Sequence, residues 1–485
     1  MDVDDAPPTS RRALRAQGGA DAGSTGASAA APAGSATPGR RLALTWLDDD
    51  AVSAVRAPDH LDSSPAYLPA SADLLARRPR RSPLRASVVM PFLGAIAVAG
   101  LYAASTLLWP LHAVPATLTE ATVADVTAPA TAVVWPEVGS AAVSVGGISG
   151  VATSGADVWP MASITKLVTA LMVLEQEPLK PGESGPGFAF TGRDSDQYLE
   201  YLWDDQSALD VPVGESLSLH QMLQGLLIGS ANNYADRLAS TYWPTEAVFA
   251  SAATSFLQRN GLGGITVVEP TGIDPANAAD AASLLPLARL ALADPVVAEI
   301  VRTPAVELPG AGLVENTNDL LRADPTVIGL KTGSLWAEYN LLAAKDAPIG
   351  ERTVRVFASV LAQPDDARRD AETQRLLDAV AQEVSQPRVL AAGTIVGVGT
   401  TPWGATSNVV TDGDVPVLLW NGATATVSAS LDISAAAFAQ DAVGTVTLTG
   451  PLDSGSATAR LATDLTPPTS WWRLTHPLEL WGLAG

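Results

Sequence analysis

The sequence predicts an α+β protein in which a long apolar helix precedes a mixed domain and a small all-β domain. Residues 88–111 carry no charge over 24 positions, long enough for a helix to span a bilayer. From about residue 136 to 385, runs with helical spacing alternate with runs of strand-like alternation. Residues 386–467 instead hold short β-rich runs separated by Gly, Asp and Asn turns, which indicates a small β domain.

The N-terminal region predicts a membrane anchor with its tail inside the cell. Residues 1–87 are rich in Ala, Pro, Ser, Gly and Asp without helical or strand period, which is typical of a disordered tail. An arginine cluster, Arg77, Arg78, Arg80, Arg81 and Arg85, ends this tail. The positive-inside rule then favours a cytoplasmic N-terminus, a single pass at 88–111 and an extracytoplasmic remainder. A cleaved signal peptide is the alternative.

The remaining segments complete the predicted organisation. Residues 112–135, rich in Ala, Thr, Val and Pro, are predicted to be a linker. Within the mixed domain, Ser140–Val145 and residues 150–154 suggest a short hairpin, and the alternation over 354–360 predicts a strand. Residues 468–485 form a Trp-rich C-terminal segment, predicted either to pack simply or to lie at the membrane interface.

Composition excludes several classes of function. The net charge of −22 argues against nucleic acid as a partner, because phosphate binding needs a basic surface. The absence of Cys excludes disulfides, thiol catalysis and cysteine-ligated metals. Of four histidines only His220 falls within 136–385, so a Ser-His-Asp triad and a His-rich metal site are poorly supported. We expect no metal and no cofactor.

Lysine is rare in this chain, which has 25 arginines and four lysines, Lys166, Lys180, Lys331 and Lys345. Arginine cannot lose its proton in a protein and therefore cannot act as a base. A retained lysine can mark a position where a neutral amine is needed, although chance retention is the alternative.

Three short motifs offer a catalytic set. Ser163-Ile164-Thr165-Lys166 opens a predicted helix, where positions i and i+3 share a face and a partly dry Lys166 amine can take the Ser163 proton. Ser230-Ala231-Asn232 follows an amphipathic helix and can place a hydroxyl and an amide into a cleft. Lys331-Thr332-Gly333 ends a strand-like run that can pair with an extended peptide. Each motif alone is weak evidence.

The order of these motifs carries more information than any one of them. S-x-x-K, S-x-N and K-T-G follow one another 67 and then 101 residues apart. This trio resembles that of the penicillin-recognising serine enzymes. Residues 161–175 and 226–232 resemble the nucleophile helix and second motif of serine-type D-alanyl-D-alanine carboxypeptidases, the low-molecular-mass penicillin-binding proteins. The similarity covers about residues 136–480.

The resemblance implies a transpeptidase/β-lactamase-like fold, an antiparallel sheet flanked by helices, and a set of roles. Ser163 would attack the penultimate D-Ala carbonyl of a peptidoglycan stem peptide, and Lys166 would take its proton. Ser230 and Asn232 would transfer protons and bind the substrate backbone, and Lys331 and Thr332 would bind the terminal carboxylate. The backbone N–H groups of Ser163 and of Ser334, next to Gly333, would form the oxyanion hole. Arg369 would be a further substrate-binding residue.

The resemblance also implies β-lactam antibiotics as covalent inhibitors, and it leaves three competing functions open. Ala231 replaces a common Gly and Asn233 a common Asp. A class A β-lactamase would add a Glu-x-x-Leu-Asn element, which is not evident between Asn232 and Lys331. A D,D-endopeptidase of the same fold is the second competing function. An inactive wall-binding or sensor protein is the third, and the intact trio argues against it.

Overall fold

The computed structural model describes residues 85–111, 114–433 and 438–483. The predicted tail, residues 1–87, therefore lies outside the described residues except for its last three positions. The helices are α1 (Ala86–Leu107), α2 (Thr165–Gln176), α3 (Gly192–Trp203), α4 (Leu219–Leu227), α5 (Asn232–Tyr242), α6 (Glu246–Arg259), α7 (Ala281–Ala293), α8 (Pro295–Ile300), α9 (Leu320–Ala323), α10 (Asp366–Val384), α11 (Ser470–Thr475) and α12 (Pro477–Leu480).

The strands belong to the mixed domain, to the β domain or to short local pairs. They are β1 (Thr117–Glu120), β2 (Val126–Thr127), β3 (Ser140–Val145), β4 (Ala152–Thr153), β5 (Val158–Pro160), β6 (Gly187–Ala189), β7 (Ser216–Ser218), β8 (Ile265–Thr266), β9 (Ala278–Asp280), β10 (Ala305–Leu308), β11 (Gly312–Glu315), β12 (Val327–Leu335), β13 (Glu338–Ile349), β14 (Arg352–Gln363), β15 (Arg388–Leu390), β16 (Ile395–Thr400), β17 (Thr406–Thr411), β18 (Val415–Val417), β19 (Thr424–Leu431), β20 (Ala442–Thr449) and β21 (Ser454–Leu461).

A five-stranded antiparallel sheet of order β12-β13-β14-β3-β4 lies at the centre of the mixed domain. Side chains alternate between its two faces, as strand geometry requires. Along β3, Ala142 joins one hydrophobic core whereas Ala141 and Val143 join the other. Along β14, Phe357 and Val356 divide in the same way, so the predicted strand at 354–360 is confirmed.

Helices cover both faces of this sheet. Helix α10 packs on one face through Leu376, Leu377 and Val380, which are all fully buried. The other face meets a larger helical core to which α2, α4, α5, α6, α7 and α8 contribute. A single 3₁₀ turn, Ala162–Ile164, precedes α2 and contacts β12 at the edge of the sheet. The α+β architecture is thus confirmed, and it brings the first motif against the strand that carries the third.

The small β domain takes strands from the segments before and after the mixed domain in the sequence. Its seven-stranded sheet has the order β1-β16-β17-β21-β20-β19-β2, and β15 pairs separately with β18. The predicted linker, residues 112–135, differs from a plain connection because it supplies both edge strands of this sheet. Thr117 pairs with Thr400, and Thr127 pairs with Thr424. These pairings cover strand edges that would otherwise expose unpaired backbone groups.

The C-terminal segment of the described chain contacts α1. In the described part of the chain, α1 is the one helix long and apolar enough to cross a membrane, with mean hydropathy 1.9. The Arg473 guanidinium donates to the carbonyls of Leu107 and Trp109 at 3.2 and 2.8 Å, where a helix end leaves carbonyls unpaired. Tyr102 donates to the Leu474 carbonyl at 2.6 Å. The Trp-rich segment therefore packs on the C-terminal end of α1.

Candidate active site

The nucleophile candidate sits on a tightly held turn. Ser163 is the central residue of the 3₁₀ turn before α2, and Ala162 beside it has φ 48, a left-handed conformation that costs a non-glycine residue energy. Two glycines let neighbouring segments of backbone approach this turn closely. A Cβ on Gly272 would lie 2.0 Å from the Ala162 carbonyl oxygen, and one on Gly333 would lie 3.2 Å from the Ser163 nitrogen. Only glycine at both positions permits this close approach.

Lys166, one turn into the helical segment, is completely buried and points at the Ser163 hydroxyl. Its Nζ lies 2.9 Å from Ser163 Oγ, and it donates at 2.6 Å to both Asn232 Oδ1 and the Thr271 carbonyl. The two carbonyl oxygens can only accept, so they take the two N–H bonds of a neutral amine. The lone pair is then left facing the Ser163 hydroxyl, which can donate.

The surroundings of Lys166 favour that neutral form. Burial lowers the pKa of Lys166 from 10.5 to about 7, while the carboxylates of Glu269 and Asp236 act in the opposite direction. Desolvation penalises the charged form of a buried amine, and nearby negative charges favour it. At neutral pH a substantial fraction of Lys166 is therefore unprotonated, as a general base requires.

The second motif forms the turn between α4 and α5. Ser230 is buried with φ 59, and Asn232 opens α5 with its backbone N–H donating to the Ser207 carbonyl at 2.8 Å. This turn delivers the Asn232 side chain to Lys166. Asn233 uses its amide to hold Leu209, accepting from the backbone N–H at 3.2 Å and donating to the carbonyl at 2.8 Å. A carboxylate at this position could not donate to the Leu209 carbonyl, so the structure gives a local reason for Asn.

The third motif lies on β12, on the other side of the Ser163 turn. Lys331 is 2% exposed and its Nζ donates to the Thr332 carbonyl at 3.1 Å. Burial, then the charges of Lys166 and Arg369, hold the pKa of Lys331 well below its usual value. Thr332 Oγ1 lies 2.5 Å from Thr317 Oγ1, on the segment before β12. Lys331 and Thr332 therefore lie on the strand that contacts the Ser163 turn.

Arg369 lies on α10 and is buried, with its side chain 4% exposed. It forms ion pairs with Asp366 and Asp370, the latter at 2.9 Å. Its charge also contributes to the lowered pKa of Lys331. Ser334, the residue after Gly333, lies exposed near the end of β12 opposite Tyr339.

The structure thus brings Ser163, Lys166 and Asn232 into direct contact and sets β12 against the Ser163 turn. It also adds groups that the motifs did not indicate. The Thr271 carbonyl contacts Lys166, and the Asn340 side chain joins the Pro160 carbonyl to the Ala362 N–H at 2.9 and 2.8 Å. Every residue has a backbone carbonyl, so the sequence alone could not indicate the contact of Thr271 with Lys166. Among the described residues, no group of three His, Cys, Asp or Glu side chains could hold a metal ion.

Comparison with known proteins points to one family. Residues 152–363 match the family model of the D-alanyl-D-alanine carboxypeptidases, peptidase family S11. A curated relative, the D-alanyl-D-alanine carboxypeptidase DacB2 of Mycobacterium tuberculosis strain H37Rv, is 31% identical over 156 residues. That alignment covers 30% of this chain and 53% of the relative, so the chain spans about half the length of the curated relative it matches.

Two solved structures match this chain over part of its length. The Streptomyces K15 DD-transpeptidase is 22% identical, with 54% of this chain and 98% of that chain covered and a TM-score of 0.43. Penicillin-binding protein 5 of Haemophilus influenzae is 17% identical, with 72% and 100% covered and a TM-score of 0.46. The family match spans all three motifs, from Ser163 to Gly333. The similarity is therefore to the D-alanyl-D-alanine carboxypeptidase family, over the part of the chain that holds the candidate site.

Proposed function

We propose that this chain is a membrane-anchored serine peptidase that removes the terminal D-Ala from peptidoglycan stem peptides through an acyl-enzyme on Ser163. The observation that carries the proposal is the 2.9 Å contact between Lys166 Nζ and Ser163 Oγ, made by a fully buried amine. Residues 136–385 form the catalytic domain in this proposal, and residues 386–467 form an accessory β domain.

The first chemical step forms the ester and releases D-Ala. Ser163 Oγ bonds to the carbonyl carbon of the penultimate D-Ala while its proton passes to the Lys166 amine. The backbone N–H groups of Ser163 and Ser334 stabilise the oxyanion of the tetrahedral adduct. The C–N bond then breaks, and the proton returns from Lys166 by way of Ser230 to the leaving nitrogen, so D-Ala departs as a free amine.

Water completes the cycle. It attacks the ester carbonyl, gives a proton to Lys166, and the ester C–O bond breaks as Ser163 Oγ recovers that proton. The shortened stem peptide leaves as a carboxylic acid. Asn232 holds Lys166 in place through both steps, because its Oδ1 accepts from the amine at 2.6 Å.

Substrate recognition follows from the charges of the site. Burial lowers the pKa of Lys331, and repulsion from the charges of Lys166 and Arg369 lowers it further. A terminal carboxylate bound by Lys331 and Thr332 would offset that repulsion and restore the Lys331 charge. The site therefore favours a peptide with a free C-terminal carboxylate next to the scissile bond.

The direct test is product release by the full chain in detergent. We expect a stem pentapeptide ending in D-Ala-D-Ala to lose one D-Ala, detected by mass spectrometry, while the matched peptide ending in D-Ala-L-Ala stays intact. Release of any other fragment, or equal cleavage of both peptides, would contradict the proposed reaction.

The same proposal includes a topology. Helix α1 serves as a single-pass anchor with the N-terminus in the cytoplasm and the catalytic domain outside, supported by the apolar helix and the arginines before it. The Trp-rich segment adds to this anchor, because Trp109 and Trp481 meet edge to face with ring centroids 6.3 Å apart, and Trp residues favour membrane interfaces.

Protease accessibility checks the topology. We expect a protease added to intact spheroplasts to remove the catalytic domain and leave a protected fragment that contains the tail and α1. An antibody tag on each end of the chain distinguishes the fragments. A protected catalytic domain with a digested tail would reverse the topology.

A further inference from the structure

The loop that follows β8 is organised by one carboxylate. Glu269 Oε2 accepts from the backbone N–H and hydroxyl of Thr271 at 2.7 and 2.6 Å. Its Oε1 accepts from the Gly272 N–H at 2.6 Å, the Asp274 N–H at 3.3 Å and the Asn277 amide. Both carboxylate oxygens are thus occupied within residues 268–277, here called the Glu269 loop. Hydrogen bonds to a charged acceptor are stronger than those between neutral groups.

This loop holds the base and the nucleophile turn at once. Its Thr271 carbonyl accepts from Lys166 Nζ at 2.6 Å, and its Pro270 carbonyl accepts from the Thr169 hydroxyl at 2.7 Å, one turn further along α2. Gly272, with φ 90, lies against the Ala162 carbonyl. The Asn277 carbonyl accepts from the Met161 N–H at 2.8 Å, just before the turn. The Glu269 loop therefore contacts the S-x-x-K segment and its flanks at several separate points.

We propose that Glu269 is a positioning residue for Lys166: its carboxylate folds the loop so that the Thr271 carbonyl takes one Lys166 N–H, and its charge balances the burial of the Lys166 amine. The proposal rests on the proposed role of Lys166 as the base that accepts the Ser163 proton. Nothing in the three sequence motifs indicates this residue.

The charge effect has a definite sign. Glu269 is the largest influence that opposes burial at Lys166, and Asp236 on α5 is the next. Lys331 on β12 is a further titratable group that interacts with Lys166, and the charges of Lys166 and Arg369 lower its own pKa after burial has done so. A carboxylate favours the ammonium form, so removing the Glu269 charge lowers the pKa of Lys166. The neutral amine then persists to lower pH but is a weaker base.

Glu269 also invites comparison with the glutamate that activates the deacylating water in class A β-lactamases. A water-activating carboxylate needs a free oxygen to accept the water proton. Both Glu269 oxygens instead accept from Thr271, Gly272, Asp274 and Asn277. We therefore expect Glu269 to act through Lys166 and not to accept the proton of the attacking water itself.

The experiment is the pH dependence of acylation by a fluorescent penicillin, measured across neutral pH on the full chain in detergent. For the wild type, the rate should rise with pH through about 7, as Lys166 loses its proton. In Glu269→Gln, the midpoint should move down by about one pH unit, the usual effect of losing a nearby opposite charge. The plateau should fall about ten- to a hundredfold, because the base is mispositioned.

Asp236→Asn is the matched control, because Asp236 acts on Lys166 through charge but lies outside the Glu269 loop, bonded to Tyr201 and Gln197. It should lower the midpoint while keeping the plateau near the wild-type value. Should Glu269→Gln fail to fold by circular dichroism, Glu269→Asp replaces it. That variant keeps the charge on a shorter arm, so it should keep the midpoint and lower the plateau.

The outcomes separate the possibilities. A lower plateau with an unchanged midpoint in Glu269→Gln would mean that Glu269 is merely structural, and it would overturn the proposal. So would a midpoint shift in Glu269→Asp, or unchanged acylation with slowed loss of the label, which would mark a hydrolytic glutamate. A wild-type rate that is flat across this pH range would instead remove Lys166 as the base, and the proposed mechanism with it.

Discussion

Replacing Ser163 with alanine is expected to abolish covalent labelling by a fluorescent penicillin. The hydroxyl of Ser163 is the group that Lys166 Nζ contacts at 2.9 Å, and its removal leaves no atom to form the acyl bond. Loss of the nucleophile in a serine hydrolase costs about 10⁶-fold in rate. Labelling on a denaturing gel should therefore fall below detection. Ser240→Ala, on the exposed surface of α5, is the control that should label normally.

The fate of the label adds a second part to this prediction. Because both Glu269 oxygens are held by the loop, the wild-type label should leave slowly, over many minutes of chase with unlabelled penicillin. Full labelling of Ser163→Ala would assign the nucleophile elsewhere. Rapid multiple-turnover hydrolysis of penicillin by the wild type would favour a β-lactamase.

The structural features that the sequence predicted correctly depend on short-range periodicity. Ser163 and Lys166 share a helix face because they are three residues apart, and that spacing is visible without a structure. The β14 strand was predictable for a similar reason, since alternate residues serve the two faces of a sheet. The order of the three motifs then indicated a family whose site combines all three.

Long-range pairing was much harder to predict. The segment Thr117–Glu120 is a strand of only 4 residues. It pairs with β16, where Thr117 and Thr400 are 283 residues apart, so no local pattern reveals the pairing. The contact of Arg473 with the end of α1 is of the same kind. Both contacts join segments that are far apart in the sequence, so they became visible only in the folded chain.

The site contacts that the sequence did not predict involve backbone groups and loop geometry. Among the partners of Lys166, Ser163 and Asn232 belong to motifs. The Thr271 carbonyl does not, and any residue type could supply it. The acceptor role of Glu269 could not be predicted from the sequence, because its contacts depend on the folded path of the chain.

Lys166→Arg tests whether the amine must be able to lose its proton. A guanidinium keeps a positive charge and could still donate to Asn232 Oδ1 and the Thr271 carbonyl, which now accept at 2.6 Å. It has no lone pair for the Ser163 proton at any pH that the protein tolerates. General-base assistance is typically worth about 10²–10⁴-fold, so the acylation rate by labelled penicillin should fall by at least that factor.

Two further variants decide whether charge or size causes the loss. Lys166→Met fills similar space without a basic group, so it should lose acylation to a similar extent. Lys345→Arg keeps ion pairs to Asp324 and Asp378, where the present distances are 2.6 and 2.5 Å, and should acylate normally. If Lys166→Arg acylates near the wild-type rate while Lys166→Met does not, then positive charge and not proton transfer is what Ser163 requires. The neutral-amine mechanism would fail, although Ser163 would remain the nucleophile.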